Sequence, residues 1–309
     1  MSEPVIGLDN LSVVYKKGFR REPVKAVNNL SFTVNEGEVV GFLGPNGAGK
    51  SSTIKAMMGF LFPSSGTIEV LGHAAGSTAA KKYLGYLPEV ALYYPFMKAR
   101  ELLRLYGGLA GVRRHELEQR IAQVIELVGL RGRESALLKT FSKGMQQRLG
   151  IAQALIGDPR LLVLDEMSSG LDPLGRRDVR RIVRMLKDEG KTIFFSSHEL
   201  SEVEMLCDRI IIINRGHKVL ESPLADLVRP LSGFQIIFKD TGALPMLPRE
   251  PERLPDGTCR LLLGPGDEPH NFLRSLVLSD AEILEFRTLS GSLEDHFVRI
   301  IQEDNAHSE

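Results

Sequence analysis

Nine consecutive residues near the start of the chain have the types and spacing of a polyphosphate-binding loop: Gly44, Pro45, Asn46, Gly47, Ala48, Gly49, Lys50, Ser51 and Ser52. They follow an apolar run at residues 39–43 and precede a helix-compatible stretch at 53–58. Glycines let successive backbone N–H groups turn toward a polyanion, and the N-terminus of the next helix adds positive partial charge. We therefore predict a nucleoside triphosphate site in which Lys50 contacts the β- and γ-phosphates and the Ser51 hydroxyl binds Mg²⁺.

Two adjacent acids, Asp165 and Glu166, follow a fully apolar strand predicted at residues 161–164. In an α/β sheet, ligands bind at the carboxyl ends of the strands, so both carboxylates are expected beside the phosphate loop. We predict that Asp165 supports Mg²⁺ and that Glu166 orients and deprotonates an attacking water molecule.

Ser142 precedes a helix predicted to end near residue 156, with Gly144 and Gln146 in its first turn. A small polar residue and a glycine at a helix N-terminus can form a second anion site. Taken alone, Ser142 is an ordinary helix N-cap.

Two further polar residues stand next to predicted elements. Asp172 is followed by Pro173, which is the pattern of an N-cap and a first helical residue, and the helix is predicted to extend to about residue 189. His198 is a lone histidine after a strand predicted at 192–196. Considered singly, these residues are compatible with a helix cap and a structural histidine.

The elements that must position these residues alternate between strand and helix. β-like segments at residues 6–15 and 25–34 precede the phosphate loop, and residues 99–138 have helical periodicity. Because fully apolar strands alternate with helices, we predict a largely parallel sheet covered on both faces. Further strands are predicted at 67–70, 84–87, 192–196 and 210–213.

The character of the chain changes after residue 224. Prolines and glycines cluster at 242–257, and short strand-like pieces at 234–238, 259–263 and 283–287 alternate with two helical stretches. We predict a small α+β domain at 225–309.

Composition limits the class of protein. Lys plus Arg and Asp plus Glu are both 39, so the formal net charge is zero and a dedicated nucleic-acid binder is disfavoured. Arginines at helical spacing are interpreted as a solvated helix face: Arg177, Arg180, Arg181 and Arg184. The 2 cysteines lack metal-ligand spacing, which favours a reducing compartment. No secretory pattern is visible, and no run reaches the roughly 18 to 20 apolar residues that cross a bilayer.

Along the chain, the phosphate loop is followed by the helical block, the Ser142 segment, the Asp165–Glu166 pair, Asp172 and His198. Motifs in this order closely resemble those of the nucleotide-binding subunits of ABC transporters, over roughly residues 5–225. The resemblance implies an α/β fold, with a P-loop NTPase core of the ABC ATPase type, an antiparallel β subdomain and a helical insertion at about 90–155. It also implies an ATP-binding domain at 5–224, followed by the small C-terminal α+β appendage at 225–309.

The resemblance assigns a role to each candidate residue. Residues 44–52 correspond to the Walker A loop, and Asp165 with Glu166 closes Walker B. The ABC signature, which closes on the γ-phosphate bound by a second subunit, corresponds to Ser142, Gly144 and Gln146. Asp172 corresponds to the D-loop acid at the dimer interface, and His198 corresponds to a histidine that contacts the γ-phosphate. Tyr15 corresponds to an aromatic residue that stacks on adenine.

The chain departs from the commoner family pattern in two places. Glu89 stands where the Q-loop glutamine contacts Mg²⁺ and senses the membrane partner, so a carboxylate ligand is expected there. Lys143 and Met145 replace the commoner signature glycines. Both variants look like the export-type branch, whose subunits pair with a separate permease of about six helices.

The resemblance implies an ATPase with ATP and Mg²⁺ as cofactors, a second ATPase subunit and an integral membrane permease as partners, and a place on the cytoplasmic face of the membrane. A mechanotransmitting ABC ATPase that moves no solute remains an alternative. An ABC ATPase acting on nucleic acid or ribosomes is disfavoured, because the chain has a single cassette and only about 115 residues between Lys50 and Asp165. The transported substrate is not encoded in these motifs.

Overall fold

A computed structural model describes residues 4–15, 23–227, 233–239, 250–254, 257–264, 267–279, 281–288 and 293–306. The chain divides into two compact units, Met1–Leu224 with Ile300–Glu309, and Ala225–Arg299. Residues 300–309 thus group with the first unit, whereas we predicted an accessory domain over 225–309. In this part of the chain the Asp304 carboxylate accepts a 2.8 Å hydrogen bond from Asn214 Nδ2 and lies 2.9 Å from His217 Nε2.

The secondary structure follows the predicted alternation. Its elements up to the first helix of the insertion are β1 (Pro4–Tyr15), β2 (Val24–Asn35), β3 (Val39–Leu43), α1 (Lys50–Met57), β4 (Ser65–Val70), β5 (His73–Ala74), α2 (Thr78–Lys81), β6 (Leu84–Leu87) and α3 (Ala99–Leu109). Then come α4 (Arg114–Leu127), a 3₁₀ turn at Leu138–Thr140, α5 (Lys143–Leu155), β7 (Leu161–Leu164), α6 (Pro173–Asp188), β8 (Thr192–Ser197), α7 (Leu200–Leu206), β9 (Arg209–Asn214) and β10 (His217–Pro223). The last elements are α8 (Leu224–Leu227), β11 (Phe234–Lys239), β12 (Glu252–Arg253), β13 (Thr258–Leu263), α9 (Pro269–Leu278), β14 (Glu282–Thr288) and α10 (Leu293–Ala306).

A six-stranded sheet with the order β10-β9-β3-β8-β7-β6 forms the centre of the first unit. All neighbours from β9 to β6 are parallel, and β10 pairs antiparallel with β9. The register places Leu43 opposite Ser197 and Leu164 opposite Phe195, so these strands end at one edge of the sheet. That edge therefore brings together the segments that follow β3, β7 and β8.

A second sheet, with the order β2-β1-β4-β5, is antiparallel throughout and corresponds to the predicted antiparallel subdomain. Three buried phenylalanines join the two sheets. The Phe32 ring of β2 lies 5.7 Å from that of Phe42 and 5.8 Å from that of Phe194, and the last two are 5.2 Å apart. Burying a side chain of this size contributes roughly 1.5–3 kcal/mol, so this cluster stabilises the packing of one sheet on the other.

The predicted helical block consists of α3, α4 and the 3₁₀ turn. α3 buries Leu102 and Leu103, and α4 buries Ile121, Val124 and Ile125, which matches the apolar faces expected from their spacing. The helices are separated near Gly111, whose φ of 77° is incompatible with a continuous helix.

The second unit contains an antiparallel sheet with the order β12-β13-β11-β14. Its core includes Phe238, Leu261 and Leu276, the last of which lies on α9. Strands and a helix around this small core agree with the predicted α+β appendage, although most of the proline-rich stretch lies outside the described residues. Across the ranges that the structure describes, no helix combines the length and apolarity that a membrane crossing requires.

Candidate active site

The phosphate loop connects β3 to α1 through residues 44–49. Gly49 forms the N-cap of α1 with a φ of 108°, and a Cβ at this position would lie only 2.4 Å from the Ala26 carbonyl oxygen. The Ala48 carbonyl accepts a 2.9 Å hydrogen bond from the Gly216 N–H. The loop is therefore fixed by the turn between β9 and β10, and it requires glycine where neighbouring backbone comes close.

Lys50, the first residue of α1, is buried between this loop and the acids after β7. Its Nζ donates a 2.7 Å hydrogen bond to the Gly44 carbonyl and lies 3.7 Å from Oε1 of Glu166. The ammonium group thus stands between backbone that can bind phosphate and a buried carboxylate. A positive charge held there is suited to stabilising the negative charge of phosphoryl oxygens.

Tyr15 lies beside the loop, at the end of β1. Its hydroxyl is 3.2 Å from the Ser52 hydroxyl, and its ring is only partly buried. Ser51 and Ser52 belong to the first turn of α1, and both are partly exposed. The position of Tyr15 is compatible with the predicted adenine contact, which stays a prediction.

A buried serine joins the two acids after β7. The Ser196 hydroxyl, near the end of β8, donates a 2.6 Å hydrogen bond to Asp165 Oδ1 and accepts one of 2.9 Å from the Glu166 N–H. One side chain therefore fixes the Asp165 carboxylate and the backbone that directs Glu166. Ser196 was not predicted from the sequence; the available signal was a pair of serines that follows the apolar residues of β8.

The residues near Asp165 fit a magnesium ion by their chemistry. Burial raises the pKa of the Asp165 carboxyl and the charge of Glu89 raises it further, whereas the hydrogen bond from Ser196 lowers it. The ionised form of Asp165 is thus energetically unfavourable, and a cation bound beside it would stabilise that form. Among the described residues no cluster of three or more His, Cys, Asp or Glu side chains could hold a metal ion. The ion would therefore depend on Asp165, the Ser51 hydroxyl, water and phosphate oxygens, which are ligands that Mg²⁺ accepts.

Glu166 and His198 are in direct contact. Glu166 Oε2 lies 2.6 Å from His198 Nδ1, and the Glu166 side chain is buried while the histidine is half exposed. The Glu166 backbone has a φ of 50°, an uncommon conformation for a residue other than glycine. Local strain of this kind is often found at functional sites. The arrangement places an oriented carboxylate, suited to accept a proton from water, beside Lys50.

The signature segment (residues 142–146) forms the start of α5. Ser142 is its N-cap and accepts a 3.3 Å hydrogen bond from the Met145 N–H. Gln146 Nε2 donates to the Phe141 carbonyl at 3.3 Å, and Gly144 is partly exposed. The predicted N-cap is confirmed, and the contact with a second nucleotide stays a prediction.

Asp172 caps α6 by accepting a 2.8 Å hydrogen bond from the Gly175 N–H. A cavity beside it is lined by residues from two segments, 142–148 and 170–178. Lys143 extends over Gly170, with its Nζ 2.0 Å from the position that a Cβ there would take. The signature and the Asp172 loop therefore face one another within a single chain.

Glu89 is exposed in the segment that follows β6. It lines a cavity of about 200 Å³ together with Lys143, Gln146 and Gln147. Its negative charge contributes to the raised pKa of the Asp165 carboxyl group. Direct Mg²⁺ ligation by Glu89 stays a prediction. Gln147, which was not predicted to belong to the site, is buried and donates a 2.7 Å hydrogen bond to the Met167 carbonyl.

Comparison with known proteins places this geometry in a family. Residues 27–169 match the family model described as ABC transporter. An ABC transporter ATP-binding protein of Nostoc sp. is 38% identical over 312 residues, covering 97% of this chain and 91% of the relative. The bacitracin transport ATP-binding protein BcrA of Bacillus licheniformis is 36% identical over 287 residues, covering 90% of this chain and 92% of that protein.

Solved structures show the same fold. The ATP-binding subunit of an ABC transporter aligns with a TM-score of 0.64 and 31% identity, covering 73% of this chain and 92% of that subunit. A dimeric ATP-binding cassette bound to ADP and phosphate aligns with the same TM-score of 0.64 at 23% identity, covering 71% of this chain and 98% of the other.

Proposed function

Because the chain belongs to the family of ABC transporter ATP-binding subunits, we propose that it is the ATP-hydrolysing motor of a membrane exporter, acting on the cytoplasmic face through a separate permease. The contact of Lys50 and His198 with the two oxygens of Glu166 is the observation on which the catalytic part rests. Export is supported by relatives whose names are bacitracin transport, linearmycin resistance and Nod factor export ATP-binding proteins.

Each residue of the site has a separate role in the proposed hydrolysis of ATP. Lys50 and the loop N–H groups bind the β- and γ-phosphates, and Ser51 with Asp165 would hold Mg²⁺. The bound ion would offset phosphate charge during transfer. Glu166 accepts the proton of the attacking water, while His198 fixes the orientation of that carboxylate and contacts the γ-phosphate.

A second copy of the chain would complete each site. The first turn of α5 presents the signature backbone to solvent, and a helix N-terminus attracts an anion such as the γ-phosphate. In the proposed dimer the signature of one subunit closes on the ATP bound by the other, and Asp172 lies at the interface. Binding of ATP would favour the closed dimer, and hydrolysis with product release would reopen it.

The permease is proposed to bind near an apolar segment between β6 and α3. Its side chains are largely exposed: Val90 by 66%, Leu92 by 89%, Tyr94 by 72% and Phe96 by 76%. A cavity of about 510 Å³ is lined partly by Phe60, Tyr86 and Gln153, and Tyr93 of the segment donates a 3.2 Å hydrogen bond to Gln153. Contiguous exposed apolar surface of this kind marks an interaction site. Glu89 directly precedes the segment, so movement there could reach the Mg²⁺ site.

Co-expression with a candidate permease of about six helices tests the proposal. The wild-type chain is expected to copurify with the permease, whose presence changes ATPase activity. The double variant Leu92→Ser/Tyr94→Ser should lose this response and keep basal activity, because only the permease contact is removed. Met185→Ser, a change at an exposed apolar position of α6, is the matched control. Copurification and stimulation that are equal in wild type and the double variant would rule out this surface.

Replacing Glu89 with glutamine tests whether this residue binds Mg²⁺ and couples the permease to ATP hydrolysis. The neutral amide should weaken Mg²⁺ binding at the ATP site, but it should also reduce electrostatic repulsion with the γ-phosphate. Because these effects oppose each other, basal ATPase activity should stay within about tenfold of wild type, or about 1.4 kcal/mol of activation barrier. Stimulation by the permease should change more than basal activity. The measurement is the Mg²⁺ dependence of ATPase activity with and without permease. Superimposable curves for Glu89→Gln and wild type would exclude both the metal role and the coupling role.

A further inference from the structure

Glu202, on α7, is a buried acid that the mechanism above does not use. The residue is only 1% exposed, although α7 begins two residues after His198. Acidic side chains are rarely buried to this extent unless they have partners. The contacts of Glu202 therefore call for a physical explanation.

The partners of Glu202 come from both catalytic segments. The Ser197 hydroxyl donates a 3.2 Å hydrogen bond to Glu202 Oε2, and the Ser168 hydroxyl also interacts with the carboxyl group. Ser168 follows Glu166 by two positions, and Ser197 directly precedes His198. A single side chain on α7 thus connects the segment after β7 with the segment after β8.

The Ser197 hydroxyl is fixed on its other side as well. It accepts a 2.9 Å hydrogen bond from the Glu199 N–H while donating to Glu202. Its orientation therefore defines the path of the backbone on both sides of His198. Loss of the Glu202 acceptor would free this hydroxyl and loosen that path.

The surroundings of Glu202 shift the pKa of its carboxyl group upward. Burial raises the pKa of the Glu202 carboxyl, and the charge of Glu199 adds to the increase. The Ser168 and Ser197 hydroxyls and the charge of Arg176 oppose this increase in the pKa. Within the described part of the chain, Oε1 of Glu202 is buried without a hydrogen-bond partner, an arrangement that is costly for a charged oxygen.

We propose that Glu202 is a positioning residue. Its carboxyl group links the Ser168 and Ser197 segments and thereby fixes the positions of Glu166 and His198 relative to each other. The proposal rests on the ATPase function proposed above. Glu202 does not touch the reacting atoms, so its removal should impair turnover much more than ATP binding.

Two substitutions of Glu202 separate this role from simple core packing. Glu202→Leu removes the acceptor and should lower kcat about tenfold while changing the KM for ATP by less than about twofold, since a tenfold loss requires only about 1.4 kcal/mol. Glu202→Gln keeps an oxygen that can accept the Ser197 hydrogen bond, and should retain kcat within about threefold of wild type. Glu204→Leu, at an exposed position of the same helix, is the matched control and should leave kcat unchanged.

A double-mutant cycle tests the route through Ser197. Ser197→Ala alone should reproduce most of the loss, and combining it with Glu202→Leu should add little, because both remove the same link. Thermal unfolding verifies that each variant is folded. If Glu202→Leu does not fold, the kcat of Ser197→Ala tests the proposal instead. Additive losses, or a Gln variant as impaired as the Leu variant, would overturn the positioning role. A wild-type chain without ATPase activity would instead refute the proposed function.

Discussion

Replacement of Glu166 by glutamine is expected to lower ATP turnover by at least about 10²-fold while ATP still binds. Glutamine preserves the size of the side chain and can still hydrogen-bond His198, whose Nδ1 lies 2.6 Å from Glu166 Oε2. It removes the group that accepts the proton from water. The variant should therefore accumulate as an ATP-bound dimer, since in the proposed cycle ATP binding closes the dimer and hydrolysis reopens it.

Steady-state ATPase rates and light scattering with and without ATP measure both effects. Glu204→Gln makes the same chemical change at an exposed position of α7 and should hydrolyse ATP like the wild type. If Glu166→Gln turned over ATP at the wild-type rate, Glu166 would not be the general base.

Replacement of Lys50 by alanine is expected to remove most of the stabilisation that ATP provides. In the wild type, ATP at about 100 times its Kd should stabilise the folded state by about 2.7 kcal/mol. The variant lacks the ammonium group that stands between the Gly44 carbonyl and Glu166, at 2.7 and 3.7 Å respectively. Without it, the proposed site would lose the buried positive charge that Lys50 places at the β- and γ-phosphates.

Thermal unfolding with and without Mg²⁺ and ATP provides the measurement. Without nucleotide, the variant should melt within several degrees of wild type, because about 1 kcal/mol changes the Tm of a domain of this size by roughly 2–4 °C. Lys239→Ala, at an exposed lysine of β11, is the control and should keep the full response to ATP. An equal ATP-induced shift in Lys50→Ala and wild type would show that the phosphate loop is not the ATP site.

Local sequence patterns determined the parts of the site whose geometry is local. The loop at 44–49, the N-caps Ser142 and Asp172 and the apolar strand before Asp165 were all predicted, because each depends on neighbours within a few residues. The parallel sheet was predicted as well, since its strands are continuously apolar. From the sheet it followed that the acids and the phosphate loop would meet at one edge.

Tertiary structure alone decided which atoms meet at that edge. Ser196 reaches Asp165 across 31 positions, and His198 reaches Glu166 across 32. These contacts depend on the register between β7 and β8, and that register places a particular serine hydroxyl next to a particular carboxylate. β7 and β8 are buried at every position, so their sequences have no alternation of buried and exposed residues that would fix the register. The pattern therefore predicts that each strand is buried but not which residue lies opposite each position. The roles of Ser196 and Glu202 therefore emerge only from the folded chain, in which polar side chains buried together must hydrogen-bond one another.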